Sequence, residues 1–423
     1  MRRNLLVGLL ILLVLPWVAH WMLAAWATAA GNSPRVAWQR IAHRYPGLSG
    51  SVWVRRYLDA FYPAAPLFRL KAPDRAGPPF PSGADDFAAS RVRHVADVAG
   101  LKAALREARP GDDIVLAAGV YRLGGVAVRV PGTDARPIRV RAARPGSVYL
   151  RMRGQGFHVS ASWWRFQGLN LYGECQSDER CEHAFHVVGD ARGFVLRDSV
   201  MRDFNAMLKV NGVAGEYPDG GLVEGNVFYN SRPRRSTRPV TFIDIVAASD
   251  WRIRRNLIAD FAKAGGNRVS YGVFIKGGAD GGVIEQNLVV CASDGPSSRD
   301  QRVGISLGGG GSGRRFCRHG CRYESRGGVI RDNLVMQCSD VGIYLNRAAD
   351  ARVVGNRLYN TAGIDVRYAE SRAEVNGNRL DGAVRERDGG RMSMTDNQFF
   401  SGDWSRTALM GYRRWLERAD GAE

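Results

Sequence analysis

Val223-Glu224-Gly225-Asn226-Val227-Phe228 is the first of six similar segments in which an asparagine lies between short apolar stretches. The other segments place this residue at Asn256, Asn287, Asn333, Asn356 and Asn378. Successive asparagines are 30, 31, 46, 23 and 22 residues apart, and the longest step contains an insertion. Such spacing is typical of one coil per repeat, so the sequence predicts an all-β solenoid, a right-handed parallel β-helix.

The stacking of coils gives these asparagines a structural role. One coil of short strands cannot bury its apolar face alone, so successive coils stack and share a continuous core. Asparagine at a recurring corner tolerates left-handed backbone geometry and can bond to the asparagines above and below it. We therefore expect the asparagine ladder to hold the coils in register and to take no part in catalysis.

Helices are predicted at both ends of the solenoid. Residues 95–108 have apolar side chains at helical spacing, namely Val98, Leu101, Ala104, Leu105 and Ala108. This helix precedes the strand Ile114–Leu116 and is expected to cap the first coil, whose strand edges would otherwise be open. Residues 403–423 predict a short amphipathic helix from the spacing of Trp404, Leu409, Tyr412, Trp415 and Leu416.

The first residues determine the compartment. Arg2 and Arg3 precede an apolar run from Leu5 to about Ala30, which predicts an export signal. The run is also long enough to span a bilayer, so residues 1–30 are either a cleaved signal peptide or an inner-membrane anchor. Both alternatives place the rest of the chain in the periplasm. Residues 31–90 are interpreted as a membrane-proximal linker, 91–402 as the β-helix and 403–423 as the C-terminal helix.

Six cysteines fit an oxidising compartment. Cys175 and Cys181 close one short loop, Cys317 and Cys321 close another, and Cys291 and Cys338 fall at similar places in successive repeats. Zinc sites prefer closer cysteine pairs, and His319 alone lies nearby, so disulfides are favoured over metal.

The chain has 423 residues, 51 glycines and a formal net charge of +19. A positive surplus of this size indicates a polyanionic partner. Export from the cytoplasm makes nucleic acid an unsuitable partner and leaves anionic polysaccharide, with the membrane as a further contact if residues 1–30 are retained. We expect the protein to be a monomer.

An earlier strand in each repeat supplies candidate binding residues. Alternation places Ile, Leu and Val inside and polar side chains outside. The expected outward side chains form a stripe that could hold an extended sugar chain: Lys209, Asp244, Lys276, Ser306, Tyr344, Asn346, Asp365 and Arg367. The alternative interpretation of this stripe is a solvated sheet face.

Lys276 is the strongest catalytic candidate in this stripe. It precedes Gly277-Gly278, and the next repeat contains Gly308–Gly311, which predicts open space beside the amine. The insertion that follows is basic and is expected to lean over this patch, where it could bind a uronate carboxylate. It supplies Arg314, Arg315, Arg318, His319 and Arg322.

The first coils resemble those of the chondroitinase-B and alginate-lyase group, polysaccharide lyase family six. The resemblance rests on Ala118-Gly119-Val120-Tyr121 and on three further segments, Pro131–Thr133, Arg136–Ile138 and Ala142–Gly146, and extends more loosely over 110–400. It implies β-elimination on uronic-acid glycans, with Lys276 as base, an arginine nearby and calcium on the carboxylate. Val269 and Tyr271 stand where the family has acidic calcium ligands, and Leu307-Gly308-Gly309 where it has Arg-His-Gly, so the metal is left open.

Three functions follow from these observations. The first is a lyase that acts on a uronate-containing polysaccharide, with Lys276 as base and Arg318, His319 or Arg322 assisting. The second is a non-catalytic polysaccharide-binding or scaffold protein of exopolysaccharide export. The third is a uronate C5-epimerase, which shares proton abstraction with the lyase.

Overall fold

A computed structural model describes Met22, Ala25 and residues 87–293, 300–309, 312–313 and 316–399. All of the predicted export segment except Met22 and Ala25 lies outside the described residues, as do nearly all of the predicted linker, Arg314, Arg315 and the predicted C-terminal helix. None of the described helices has the length and apolar character needed to cross a membrane.

Three long parallel sheets form the walls of a right-handed β-helix, as the repeats predict. Sheet A has twelve strands in the described ranges and runs through β1 Arg91–Val95, β2 Asp112–Leu116, β5 Ile138–Ala142, β8 Trp164–Gln167, β11 Val195–Arg197, β14 Leu222–Glu224, β17 Arg252–Arg254, β21 Val283–Glu285, β25 Val329–Arg331, β29 Ala351–Val354, β32 Arg372–Asn376 and β35 Arg391–Thr395.

Sheet B follows sheet A in each coil. Its described strands are β3 Gly119–Leu123, β6 Val148–Met152, β9 Asn170–Gly173, β12 Val200–Arg202, β15 Val227–Tyr229, β18 Leu257–Ala259, β22 Leu288–Val290, β26 Leu334–Met336, β30 Arg357–Tyr359, β33 Arg379–Leu380 and β36 Gln398–Phe399.

Sheet C completes each coil and carries the candidate site. Its described strands are β4 Val126–Val128, β7 Phe157–Val159, β10 His183–Val188, β13 Ala206–Asn211, β16 Val240–Val246, β19 Val269–Lys276, β23 Gln301–Leu307, β27 Ile343–Asn346, β31 Gly363–Arg367 and β34 Ala383–Arg387. A small sheet of β20 Ala279–Asp280, β24 Ser325–Arg326 and β28 Ala348–Ala349 lies between sheets C and A.

The predicted N-terminal helix is present but shorter than expected. Helix α1 spans Val98–Arg106, and the Asp97 carboxylate caps it by accepting the Gly100 N–H at 2.7 Å. Leu101 and Leu105 are buried against the first coil. Val95 belongs instead to β1, which precedes the helix and pairs with β2, so the first strand of sheet A comes before the cap.

The core is one continuous column of inward side chains. Phe157, Phe166, Phe185 and Phe194 form its aromatic part, and the Phe166 and Phe185 ring centroids lie 4.8 Å apart. Each such ring contributes roughly 1.5–3 kcal/mol by leaving water. Coils of short strands are stable because this column is shared along the whole axis.

The asparagine ladder lies between sheets A and B as predicted. Asn256 Nδ2 donates to Asn287 Oδ1 at 2.9 Å and to Val223 O at 2.9 Å, and the same pattern continues to Asn397. The left-handed residue is the one before each asparagine, such as Arg255 with φ 54° and Gln286 with φ 56°, and not the asparagine itself. The ladder is therefore a structural feature whose side chains are fully bonded.

All six cysteines are paired as expected: Cys175 with Cys181, Cys291 with Cys338, and Cys317 with Cys321. The first and third pairs close short loops, whereas the second joins successive coils next to the core. Each of these disulfides limits the conformations of the unfolded chain and so stabilises the fold.

Candidate active site on sheet C

One column of outward side chains crosses the outer face of sheet C, one residue per strand. The strand register places these residues side by side: His158, His186, Lys209, Asp244, Phe274, Ser306, Tyr344, Asp365 and Arg385. Lys276 lies on the same face beside Val246, two residues further along the strand than Phe274. The eight residues of the predicted stripe all lie on strands of sheet C, but in two columns: Lys276, Asn346 and Arg367 are two residues further along their strands than Phe274, Tyr344 and Asp365.

Asp244 lies between two lysines near the middle of this column. Its Oδ2 accepts a hydrogen bond from Lys209 Nζ at 2.5 Å, and Asp244 is almost completely buried. Burial acts to raise the pKa of Asp244, but the charges of Lys209 and Lys276 outweigh burial and hold the pKa below its ordinary value. Asp244 Oδ1 is also buried and has no hydrogen-bond partner within the described structure.

Three histidines lie beside Lys209, and the sequence analysis did not select them. The His158 and His186 ring centroids are 5.3 Å apart, and those of His183 and His186 are 4.9 Å apart. His186 Nε2 lies 2.7 Å from Asn211 Oδ1. Because an amide oxygen only accepts, this contact assigns the proton to Nε2 and leaves Nδ1 as the basic nitrogen. The His183-x-x-His186 spacing, with His158 one coil earlier, was the available signal.

His183 and His186 are neutral at physiological pH. Burial, together with the charges of His186 and Lys209, lowers the pKa of His183 to about 3. Burial also lowers the pKa of His186, aided by His158 and Lys209 and opposed by the hydrogen bond to Asn211. A neutral imidazole next to a lysine ammonium can accept a proton from a bound substrate.

Lys276 lies over an aromatic platform and not beside empty space. Its Nζ is 4.5 Å from the centroid of the Phe274 ring, and this ring stacks on Tyr271 at 4.4 Å. A Cβ added at Gly309 would lie 1.9 Å from Phe274 Cζ, so glycine is required there to make room for the ring. The predicted open space is therefore occupied by Phe274.

The insertion packs against the turn that follows Lys276, as the sequence predicts. Arg318 N donates to Gly277 O at 2.8 Å, and Glu324 Oε2 accepts the Gly277 N–H at 2.9 Å. A Cβ at Gly278 would lie 2.3 Å from Arg318 O, which explains glycine at this close approach. The insertion thus lies beside the end of the strand that carries Lys276.

The basic side chains of the insertion differ in their surroundings. The Arg318 guanidinium donates to both carboxylate oxygens of Asp219 at 2.9 Å and to Ser249 Oγ at 2.8 Å, and it stacks on Tyr217 at 4.3 Å. Arg318 therefore anchors the insertion to neighbouring coils. His319 and Arg322 are exposed. Their assisting roles, and that of Arg318, remain predictions.

The other predicted binding residues form a separate group towards the C-terminal coils. Tyr344 Oη accepts from Asn346 Nδ2 at 3.1 Å and from Arg367 Nη1 at 3.2 Å. Asp365 is buried and accepts hydrogen bonds from Arg385 and Arg387. At about 4.8 Å per strand, β31 lies about 14 Å from β19. The structure thus places this group on the same face as Lys276 but about three coils away.

The residues around Lys276 do not fit a calcium site. Calcium takes six to eight oxygen ligands, whereas the two carboxylates near Lys276 already have partners: Asp244 holds Lys209, and Glu324 accepts the Gly277 N–H. In the described ranges, the group with three metal-ligating atoms close together is Cys317, Cys321 and Glu324, and its two sulfurs form a disulfide. The positive charge on this face therefore comes from lysine side chains.

The stacked parallel coils define the chain as a right-handed parallel β-helix, and comparisons with known proteins agree. The structure of pectate lyase Pel9A superposes with a TM-score of 0.53 at 14% identity, covering 74% of this chain and 80% of that chain. Residues 95–173 match the sequence profile of the chondroitinase B family, so this part of the chain resembles that family. This match includes His158 but ends before Lys209, Asp244 and Lys276.

Two other solved structures are similar at lower TM-scores. An alginate lyase from Paenibacillus sp. strain FPU-7 has 19% identity and a TM-score of 0.46, covering 74% of this chain and 97% of that chain. The A-module of mannuronan C-5 epimerase AlgE6 from Azotobacter vinelandii has 14% identity and a TM-score of 0.45, covering 72% and 92%. No curated protein sequence matches this chain significantly.

Proposed function

We propose that the protein is an exported enzyme that binds a uronate-containing polysaccharide along the outer face of sheet C and cleaves it by β-elimination. The observation that supports this proposal is the arrangement of Lys209 and Lys276 around buried Asp244, next to histidines kept neutral. The group combines positive charge for a carboxylate with a basic nitrogen for a proton. The chain acts as a monomer in the periplasm.

Lys209, one strand from His186, supplies the charge that acidifies the reacting uronate, and Lys276, three strands from His186, holds the carboxylate of another sugar of the same chain. Asp244 balances one of the two ammonium charges, so the group keeps a net positive charge for the uronate carboxylate. A proton next to a free carboxylate is weakly acidic, and neutralising the carboxylate stabilises the negative charge that forms when the proton leaves. In this proposal Lys276 acts as a cation, although the family resemblance suggests the base.

His186 performs the proton transfers. Its Nδ1 takes the proton from C5, the electrons of that bond form the C4=C5 double bond, and the C4–O bond to the next sugar breaks. The resulting imidazolium returns the proton to the departing oxygen. One side chain thus acts first as base and then as acid, and no other co-reactant is needed.

The decisive experiment is an incubation of the full chain with alginate, polygalacturonate, chondroitin and dermatan sulfates and bacterial exopolysaccharides. Elimination creates a conjugated double bond, so ultraviolet absorbance rises as each chain is cut. We expect a rise with at least one uronate polymer and none after the His186→Gln substitution. A rise that is unchanged in His186→Gln would contradict the assignment of the base.

The same incubation in heavy water separates the other two functions. An epimerase would exchange the C5 proton for deuterium without any gain in absorbance. A binding or scaffold protein would retain the polymer without exchange or absorbance. Either result would replace cleavage as the function of this face.

A further inference from the structure

Sheet A carries a second positively charged surface on a different side of the β-helix. Its outward register brings Arg197, Glu224, Arg254, Glu285 and Arg331 side by side on successive strands. Glu224 pairs with Arg197 at 3.0 Å and with Arg254 at 2.6 Å, while Glu285 pairs with Arg331 and Arg252. The acids are buried and the arginines are not, so positive charge faces the solvent.

The glutamates are more deeply buried than the arginines they pair with, and this difference makes the charge of the surface positive. Glu224 is 1% exposed and Glu285 is 7% exposed at the side chain, whereas Arg252 and Arg331 are 49% and 48% exposed. Each glutamate holds two guanidinium groups, so one positive charge per glutamate is left over. The glutamates therefore fix the arginines in place and leave the surface basic.

The same surface continues into a groove nearer the C-terminus. Residues of β29, β32 and β35 line it, and Arg352, Arg372 and Arg391 contribute their side chains. Asp350 and Glu374 are the acids that line this groove, so its three arginines outnumber them, and Arg391 is 70% exposed. A line of exposed arginines thus runs from Arg252 to Arg391 along the solenoid axis.

We propose that this line, the arginine track, is a second binding surface for a linear anionic polysaccharide. In the column from Arg197 to Arg331, arginines lie on alternate strands, about 10 Å apart, a spacing comparable to that of every second sugar along an extended chain. Guanidinium groups fit carboxylate and sulfate with paired hydrogen bonds. The track holds the polymer while the sheet C face acts on it, so this inference shares the proposed substrate class but does not depend on elimination.

The test measures retention on immobilised alginate and polygalacturonate, without turnover, across a salt gradient. The variant is Arg252→Gln/Arg352→Gln/Arg391→Gln, which leaves Arg197, Arg254 and Arg331 to pair the buried glutamates. The matched control is Arg122→Gln/Arg153→Gln/Arg180→Gln, which removes the same charge from exposed positions elsewhere. We expect about fivefold to tenfold weaker binding for the track variant and under twofold for the control.

Thermal unfolding of both variants checks that neither has lost its fold. Equal retention of the track variant, the control and the unaltered chain would overturn the proposal. Retention by vesicles of anionic lipid but by neither polymer would also overturn it, and would assign the surface to a membrane. If no polymer is cleaved but the track variant still loses retention, the elimination proposal fails while the arginine track stands.

Discussion

The asparagine ladder and the outer face of sheet C are both lines of polar side chains repeated coil after coil, yet they differ in composition and bonding. The ladder uses one residue type, and every amide is bonded to its neighbours. The sheet C column changes residue at each strand and contains a buried atom without a partner, Asp244 Oδ1, and His183 Nδ1 on the same strand as His186 is another. Repetition with complete bonding marks structure, whereas variation with unpaired buried atoms marks a site for chemistry.

This contrast separates stability from activity. A buried polar atom without a partner costs roughly 1–3 kcal/mol, so the sheet C column weakens the fold where the ladder strengthens it. Substitutions in the ladder should therefore unfold the protein, and substitutions in the column should inactivate it without unfolding.

The largest effect is expected for His186→Gln. Loss of the proton acceptor should reduce kcat by about 10²- to 10⁴-fold, because general acid–base catalysis contributes roughly this factor. The melting temperature should change little, because glutamine can still donate to Asn211. Steady-state rates and thermal unfolding are measured on one preparation. A variant that loses activity only in proportion to unfolded protein would contradict the contrast.

A ladder substitution should have the opposite effect. Asn287→Ala removes bonds to Ile253 O, Glu285 O and Asn333 Oδ1, and should lower the free energy of unfolding by about 3 kcal/mol. The rate per folded molecule should stay unchanged. Denaturant unfolding gives the first quantity, and Asn397→Ala at the last coil is the control, with a loss nearer 1 kcal/mol because that residue is half-buried. Equal losses at both positions would show that the ladder does not act cooperatively.

Acid should destabilise the protein through His183. Its folded pKa of about 3 lies below the ordinary value of 6.5, so between these values the unfolded chain binds a proton that the folded chain does not. Stability is therefore present above pH 6.5 and is lost as pH falls towards 3, by up to about 1.4 kcal/mol per pH unit.

The matched measurement compares His183→Gln with the unaltered chain between pH 6.5 and 4. Asp244 affects the dependence of stability on pH only below this range, because its pKa in the folded protein is below its ordinary value of 3.8. The variant should show a flatter dependence of unfolding free energy on pH. Parallel curves for the two proteins would mean that His183 is charged in the folded state.

The sequence predicts the fold well because the fold depends on a local period. Asn226 and its repeats set the coil length, and alternation in each short strand sets the inward residues. The site is harder to predict because its members come from strands aligned only in three dimensions. His186, Lys209 and Asp244 are neighbours through strand register, and Lys276 lies two residues further along its strand than the residue beside Asp244.

The sequence also did not predict which side chains pack or pair with each other across coils. Arg318 looked like a free cation in a basic insertion, but Asp219, about a hundred residues earlier, accepts two of the three hydrogen bonds of its guanidinium. Gly309 predicted open space, but its missing side chain admits the Phe274 ring. In both cases the partner lies on another coil, and pairing between coils is not encoded by any local pattern.

The smallest effect on activity is expected for Lys276→Arg, and this variant distinguishes two roles for Lys276. If Lys276 acts as a cation beside Asp244, Lys276→Arg keeps the charge and should retain activity to within about tenfold, whereas Lys276→Ala should lose much more. If Lys276 is the base, arginine cannot replace it, because a guanidinium does not give up its proton in this pH range. Both variants would then be equally inactive. Since Lys276 lies over the Phe274 ring at the outer face of sheet C, neither substitution should lower the melting temperature appreciably. The ratio of the rates of the two variants then shows whether the proton acceptor is Lys276 or one of the histidines.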